Sequence, residues 1–310
     1  FITRPLNGTL GLVIDRFSRA VSGRGPVALE IDGQESLKAA LAASLGSDRI
    51  PYYDLTHARY VLNFGADLFG TWVSPVNFGV QFGAFRQGRP GIRGKLVHVE
   101  PRMSITGAAA DEWVPLPPGH EGMLALAIAH SLITQGLAQP GYEGSLPMLE
   151  DYAPSRVSER LGIPAERIAR MAQEFGTRKP ALAIAGGSMA AQTNAVSAMA
   201  AVHALDQLVG SVGVPGGVQA SAVTPLRDLN ALPASRFREV RDLTARMRQG
   251  QVQVLMVHDV DPLYLLPEAM GFREALAKVP FLVSFGSFID DTTAHADLIL
   301  PDHTFLESWG

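Results

Sequence analysis

No cysteine occurs anywhere in the 310 residues. That excludes disulfides, cysteine-ligated zinc, iron–sulfur clusters and thiolate metal ligands within this stretch. Charge is also scarce. Asp, Glu, Lys and Arg make up 18%, the formal net charge is -4 and no basic run exists, so nucleic-acid binding has no electrostatic footprint. No apolar run is long enough to span a bilayer; the longest candidate, MLALAIAHSLI, is interrupted by His130 and Ser131. The dinucleotide fingerprint GxGxxG, the zinc motif HExxH and the nucleophile elbow GxSxG are all missing.

What is present is apolar: 47% of the residues are hydrophobic, a buried-rich composition in a chain long enough for two medium α/β cores. The chain opens on Phe1 rather than Met and closes on DHTFLESWG without a polar tail. It is expected to be a segment of a longer protein.

Strand-like and helix-like runs alternate. VALEI (27–31), YVLNFGAD (60–67), KLVHVEP (95–101), PALAIAGG (180–187), VQVLMVHDVDP (252–262), PFLVSFGSF (280–288) and ADLILPD (296–302) read as strands. Residues 35–46, 77–88, 120–136, 164–176, 194–210, 236–250 and 268–279 read as helices. Near-continuous Val/Ile/Leu strands alternating with helices predict mostly parallel sheets covered by helices on both faces. The reading is α/β, with two Rossmann-like lobes, 1–150 and 151–310. The boundary is placed near Pro140–Pro164, where glycine and proline concentrate.

Ligands of such sheets bind at the carboxyl ends of strands, which picks out four stretches. In the first, Gly65 permits a tight turn and the amides at Ala66 and Asp67 can face a phosphate; an ordinary strand–helix turn is the plainer use. In the second, Glu100 ends a strand, where a carboxylate can accept from a ribose diol or a guanine edge. Pro101 stops the ladder and Arg102 is available to an anion, although a surface ion pair is the plainer use. Gly119, His120 and Glu121 then open a helix, where capping alone suits an acid. The third holds His258, Asp259, Asp261 and Pro262; two acids two apart suit a solvated turn plus a cap better than a metal. The fourth, 284–310, holds Phe285, Gly286, Asp290, Asp291, Thr292, His295, Asp297, Asp302, His303 and Glu307 without a zinc pattern. Gly186, Gly187 and Ser188 read as a tight packing turn.

Taken in order, strand–GAD–helix, VEPRMSITGAAADEWVPLPPGHEGMLALAIAH, GGSMAAQTNA…LDQLVGSVGVPGGV, HDVDP and DTTAHADLILPDHTFLESWG resemble the molybdopterin oxidoreductase family, the dimethyl sulfoxide reductase superfamily. Within it the likeness is to polysulfide, thiosulfate and tetrathionate reductase-like catalytic subunits. The resemblance implies that each lobe holds one molybdopterin guanine dinucleotide, together a Mo-bis(molybdopterin guanine dinucleotide) centre. Gly65–Asp67, Glu100–Arg102 and Pro118–Glu121 would cradle one dinucleotide. His258–Pro262 and Phe285–Asp291, with Thr292 beside them, would cradle the other. Leu300, Pro301, Glu307 and Gly310 match the family's closing signature. Glu100 stands where the family has Asp in D-P-R, and His120–Glu121 replaces Thr–Asp in P-G-T-D; both acids keep a carboxylate on a longer arm.

The resemblance further implies a [4Fe-4S] domain before this segment and a capping domain after it. It also implies an Fe–S electron-transfer subunit, a membrane-anchor subunit, export to the periplasmic face of the cytoplasmic membrane, and a small inorganic or sulfur-containing substrate. The molybdenum ligand would lie upstream of Tyr60. Ser22, Glu30 and Asp32 there carry no signature of one, and no catalytic residue is assigned. His57, His295 and His303 could shuttle protons, though each fits a packed or surface histidine as well. A molybdenum-free homologue acting as an electron-transfer scaffold is the second reading, motivated by the missing thiolate and the altered acids. A nicotinamide dehydrogenase is the third; the missing GxGxxG counts against it.

Overall fold

The computed structural model describes residues 1–31, 34–87, 90–221, 232–304 and 306–307. Along the chain the strands are β1 (Ile2–Thr3), β2 (Val27–Ala28), β3 (Tyr52–Tyr53), β4 (Tyr60–Phe64), β5 (Lys95–Glu100), β6 (Glu112–Pro115), β7 (Ala181–Ala185), β8 (Val218–Gln219), β9 (Val254–His258), β10 (Phe281–Ser284) and β11 (Leu298–Ile299). The helices that frame them are α1 (Gly8–Ser22), α2 (Gln34–Leu45), α3 (Pro75–Gln87), α4 (Ile105–Ala109), α5 (Glu121–Thr134), α6 (Leu146–Leu149), α7 (Pro154–Leu161), α8 (Ala165–Thr177), α9 (Ala195–Val209), α10 (Phe237–Arg248), α11 (Pro262–Leu265) and α12 (Phe272–Leu276).

The chain forms two units, Gly33–Ala222 and Phe1–Asp32 with Val223–Gly310. The first carries a parallel sheet in the order β6-β5-β4-β7. Every residue of β4 and β7 is buried, so both sheet faces are covered and the strands need no polar alternation. Helix α8 is amphipathic and buries Ile168, Met171 and Phe175. Helices α5 and α9 carry few charges because each is packed on several sides: α5 meets α7, α8 and α9, while α9 also meets α2 and β7. Their contact is close, since a Cβ on Gly122 would lie 2.8 Å from Ala198 Cα.

β7 is an edge strand, and its outward Ala183 N–H donates to the buried Asp206 of α9 at 2.8 Å. A side chain thus takes the place of a neighbouring strand. Strands β3 and β8 form a separate antiparallel pair.

The second unit carries a parallel sheet in the order β11-β10-β9-β1-β2. Its core gathers Ile2, Val27, Leu29, Val240, Leu243, Met247, Leu255, Val257 and Leu282. The mixed α/β class with mostly parallel, helix-covered sheets is as expected.

The boundary is not. β7 pairs with β4 across the predicted division at 150/151, and β1 sits between β2 and β9, 255 residues downstream of Ile2 by register. A two-residue strand has no periodicity to read, so its long-range partner could not be foreseen. The predicted helix 268–279 is also broken: Gly271, at φ 59, separates a short 3₁₀ turn from α12. Gly310 and Asp32, both named above, lie outside the described residues.

Candidate functional site

In each unit, chain order reverses once across the sheet. The reversal falls between β4 and β7 in one and between β1 and β9 in the other, and ligands of open α/β sheets enter at such points, beyond the carboxyl ends of the strands.

At the β4/β7 end two glycine turns interlock. Gly65 (φ 72) follows β4, and a Cβ there would lie 2.7 Å from Gly186 O. Gly187 (φ 56) follows β7, and a Cβ there would lie 2.2 Å from Gly65 O. Ser188 N closes the pair by donating to Gly65 O at 3.2 Å. Only residues without a side chain fit this approach, so 186–188 is the packing turn expected and also half of the strand-end cradle. Asp67 Oδ1 accepts from Thr106 Oγ1 at 2.8 Å and from Thr106 N at 3.3 Å, tying the turn to α4.

Beneath this turn lies a buried polar chain. Asn63 Nδ2 donates to Ala66 O at 2.7 Å and faces His98 Nδ1 at 2.8 Å. Because a carbonyl only accepts, the side-chain atom facing it is the amide nitrogen, and His98 Nδ1 is an acceptor. The ring hydrogen therefore sits on Nε2, which lies 3.0 Å from Glu100 Oε2. Burial holds the His98 pKa below its ordinary value although Glu100 pulls the other way, consistent with a neutral ring. Ser104 N donates to the other Glu100 oxygen.

Glu100 is only 5% exposed. Its longer arm folds back, one carboxylate oxygen facing His98 Nε2 and the other accepting from the Ser104 amide. A signal for this stood in the sequence, since residues two apart on a strand share a face. Pro101 and Arg102 are exposed, and the Arg102 guanidinium has no acid partner among the described residues.

Glu121 behaves differently. It opens the 14-residue α5 and is 1% exposed, yet its Oε2 has no hydrogen-bond partner. Burial raises its pKa, against the opposing pull of the Glu121 and Gly119 amides. Gly119 (φ 83) makes the entry turn, and Asn194 Nδ2 donates to its carbonyl at 2.8 Å. His120 is half-exposed, with Nδ1 3.3 Å from Pro118 O.

At the β1/β9 end, His258 is buried between Thr3 Oγ1, 3.0 Å from Nδ1, and Asp302 Oδ2, 3.0 Å from Nε2. Asp302 accepts from Nε2–H, so in the neutral ring Nδ1 accepts from the threonine hydroxyl. Asp259 takes the left-handed conformation (φ 51) and pairs with Arg4 of the neighbouring strand end. Asp261 caps α11 and also binds Thr292 Oγ1 at 2.5 Å and the amides of Asp291 and Thr292 at 3.2 Å. Its role is to join the two expected ligand segments. Phe285 stacks on Phe1 with centroids 6.0 Å apart, and Gly286 N donates to Ser284 Oγ. Pro262 begins α11 and is buried. Glu307 is exposed and accepts from Thr304 N at 3.2 Å and Thr304 Oγ1 at 3.0 Å within its own turn. Thr3, Arg4, Asn63, His98 and Thr106 escaped the sequence reading, because their partners are distant or unremarkable in spelling.

Among the described residues no group of three His, Asp or Glu could hold a metal ion, and no helix is long and apolar enough to cross a membrane.

Comparison with known proteins gives this geometry a context. Residues 27–310 match the family described as molybdopterin oxidoreductase. The menaquinone reductase molybdopterin-binding-like subunit of Nitratidesulfovibrio vulgaris is 28% identical over 97% of this chain and 44% of that protein. The arsenate respiratory reductase molybdopterin-containing subunit of a Shewanella species is 25% identical over 83% of this chain and 38% of that protein. The fold is that of acetylene hydratase from Pelobacter acetylenicus, with TM-score 0.63 and 17% identity over 91% of this chain and 46% of the other. The chain therefore spans less than half the length of each of these proteins.

Proposed function

The chain belongs to the molybdopterin oxidoreductase family, and from that premise we propose that it is the cofactor-binding part of a molybdenum oxidoreductase subunit, each unit holding one molybdopterin guanine dinucleotide. The observation that carries the reading is the Glu121 oxygen, buried without a partner at a helix start. An orphaned acceptor of this kind costs about 1–3 kcal/mol unless a donor reaches it. A guanine N1–H and amino edge, or a ribose diol, supplies such donors.

The residues present fit the group in part. Glu121 and the Gly119 turn would take the nucleoside end, the amides after Gly65 and Gly186 the pyrophosphate, and the unpaired Arg102 an anionic oxygen. In the other unit the joined segments His258–Pro262 and Phe285–Thr292 would do the same. Glu100 does not fit as a direct contact, because both of its carboxylate oxygens are engaged by His98 and Ser104. When bound, the molybdenum–pterin group supplies two-electron redox chemistry with oxygen- or sulfur-atom transfer. This chain binds and orients it, and assigns no side chain to an acid or base step.

The same proposal extends to a small inorganic or sulfur-containing substrate, a [4Fe-4S] domain, an Fe–S subunit with a membrane anchor, and the periplasmic face of the membrane. A second reading, a molybdenum-free electron-transfer scaffold, is favoured by the inward turn of Glu100. Elemental analysis of the full-length protein for molybdenum and tungsten separates the two readings. Metal in near-stoichiometric amount supports the first; its absence in protein from a host that makes the cofactor leaves the second.

A further inference from the structure

In the unit formed by 1–32 and 223–310, only one face of the sheet carries a full helical layer. Residues two apart on a strand, and residues paired across parallel strands, project to the same side. Ile2, Val27, Leu255, Val257 and Leu282 project to one side, where α10 and α12 complete the core. Val254, Met256, Phe281, Val283 and Leu298 project to the other and take no part in that core. Val254, Phe281 and Leu298, on three adjacent strands, are 40–46% exposed. Among the described residues no helix lies over β9, β10 and β11 on this side.

Helix α1 lies on this second side, next to the bare strands. Its Ile14 clusters with Leu6 and Leu232 beside Phe1, which projects from the start of β1 opposite to Ile2. Its Asp15 and Arg19 reach the turn before β2: a Cβ on Gly25 would lie 3.2 Å from Asp15 Oδ1 and 3.0 Å from Arg19 Nη2. Leu10, Val13, Phe17 and Val21 recur at helical spacing and form one stripe. The winding of the helix sets that stripe on the flank opposite Asp15 and Arg19, and so towards β9. All four are 43–66% exposed. The stripe is a side wall and the three strands are the floor of one apolar groove. No residue of that wall or floor carries a charge.

Parallel sheets are stable when helices cover both faces. Strands about 4.8 Å apart give this floor a width of about 10 Å, which is the width of one helix. The helices that cover parallel strands come from the chain's own crossovers, and a surface this free of charge suits a permanent cover better than an exchangeable partner. The chain also spans less than half the length of the curated relatives named above. We propose that the groove seats an amphipathic helix of the same polypeptide, drawn from outside residues 1–310. It lies over β9, β10 and β11 beside α1, with aliphatic or aromatic residues at i, i+3, i+4 and i+7 turned to the sheet. The inference goes beyond the cofactor reading and does not rest on it.

The test is site-specific photocrosslinking in the full-length protein. The crosslinker p-benzoyl-phenylalanine is placed at Phe17 or at Phe281, one at a time, and the joined peptides are identified by mass spectrometry. Both positions should join, within one chain, to one stretch outside 1–310 that carries apolar residues at helical spacing. In parallel, Phe17→Glu and Phe281→Glu should each lower the thermal midpoint of the full-length protein by about 4 °C or more, as burial of an unpaired charge does. Arg16→Glu, on the exposed outer side of α1, should move it by about 1 °C or less.

Crosslinks between two copies of the chain, in a dimer that Phe17→Glu dissociates, would assign the groove to self-association and overturn the proposal. Crosslinks to a separate subunit would overturn it as well. So would the absence of any crosslink at both positions, or Glu variants as stable as the wild type, since either result leaves the groove open to water.

Discussion

His98 donates from Nε2 to Glu100 across 3.0 Å on one face of β5, and both side chains are buried. This pair, with Asn63 and Ser104 at its ends, fixes the strand end on which the Gly65 turn is built. It makes Glu100 a positioning residue. Glu100→Ala removes the acceptor for two buried donors and should cost about 2–4 kcal/mol of stability in urea. Bound guanine nucleotide should persist in the molecules that remain folded. Loss of nucleotide with unchanged stability would mean that Glu100 contacts it directly.

The interlocked glycine turns make a second prediction. Gly65→Ala and Gly187→Ala meet left-handed backbone and a carbonyl oxygen within 2.7 and 2.2 Å. Each should lose about 1–3 kcal/mol or fail to fold. Gly46 also has a positive φ, 71, but its Cβ would meet nothing within 4 Å. Gly46→Ala should therefore cost only about 1 kcal/mol. Equal losses at all three positions would contradict the close approach.

The sequence disclosed the well-buried strands because β4, β5, β7, β9 and β10 are short apolar runs between turn residues. It did not disclose α1, whose Leu10, Val13, Phe17 and Val21 lie exposed and blur the usual inside–outside pattern. Nor did it disclose β1, which is too short to carry a period. The discontinuous unit follows from the Ile2–Val257 register, a non-local fact. At the site, spelling located the strand ends and the helix start at Glu121. It could not say which acids face inward, because that depends on Thr106 for Asp67 and on His98 for Glu100.

Asp206 predicts a pH effect. Burial lifts its pKa well above 3.8, against the pull of the Ala183 amide. The folded state then holds a proton that the unfolded state has released, so this group's contribution to stability falls as pH rises from about 4 upward. Asp206→Asn keeps the acceptor for Ala183 and cannot ionise. It should equal the wild type near the acid end and be the more stable protein at about pH 7, as read by urea unfolding at both pH values. A variant less stable across the whole range would contradict a protonated Asp206.

His203 acts in the opposite sense. Burial holds its pKa at about 4, against 6.5 unfolded. The unfolded state binds the extra proton in that window, so its contribution is full above 6.5 and is lost as pH falls toward 4. His203→Gln should flatten the rise in stability across that window in an unfolding series. An unchanged slope would place the titration elsewhere.

If Glu121 and the strand ends hold guanine dinucleotides, acid hydrolysis of the full-length protein releases GMP in a fixed ratio to the chain. About two GMP per chain are expected from the wild type and about one from Glu121→Ala, because only the cradle built on α5 loses its nucleoside contact. No GMP in the wild type, or an unchanged two in the variant, would contradict it.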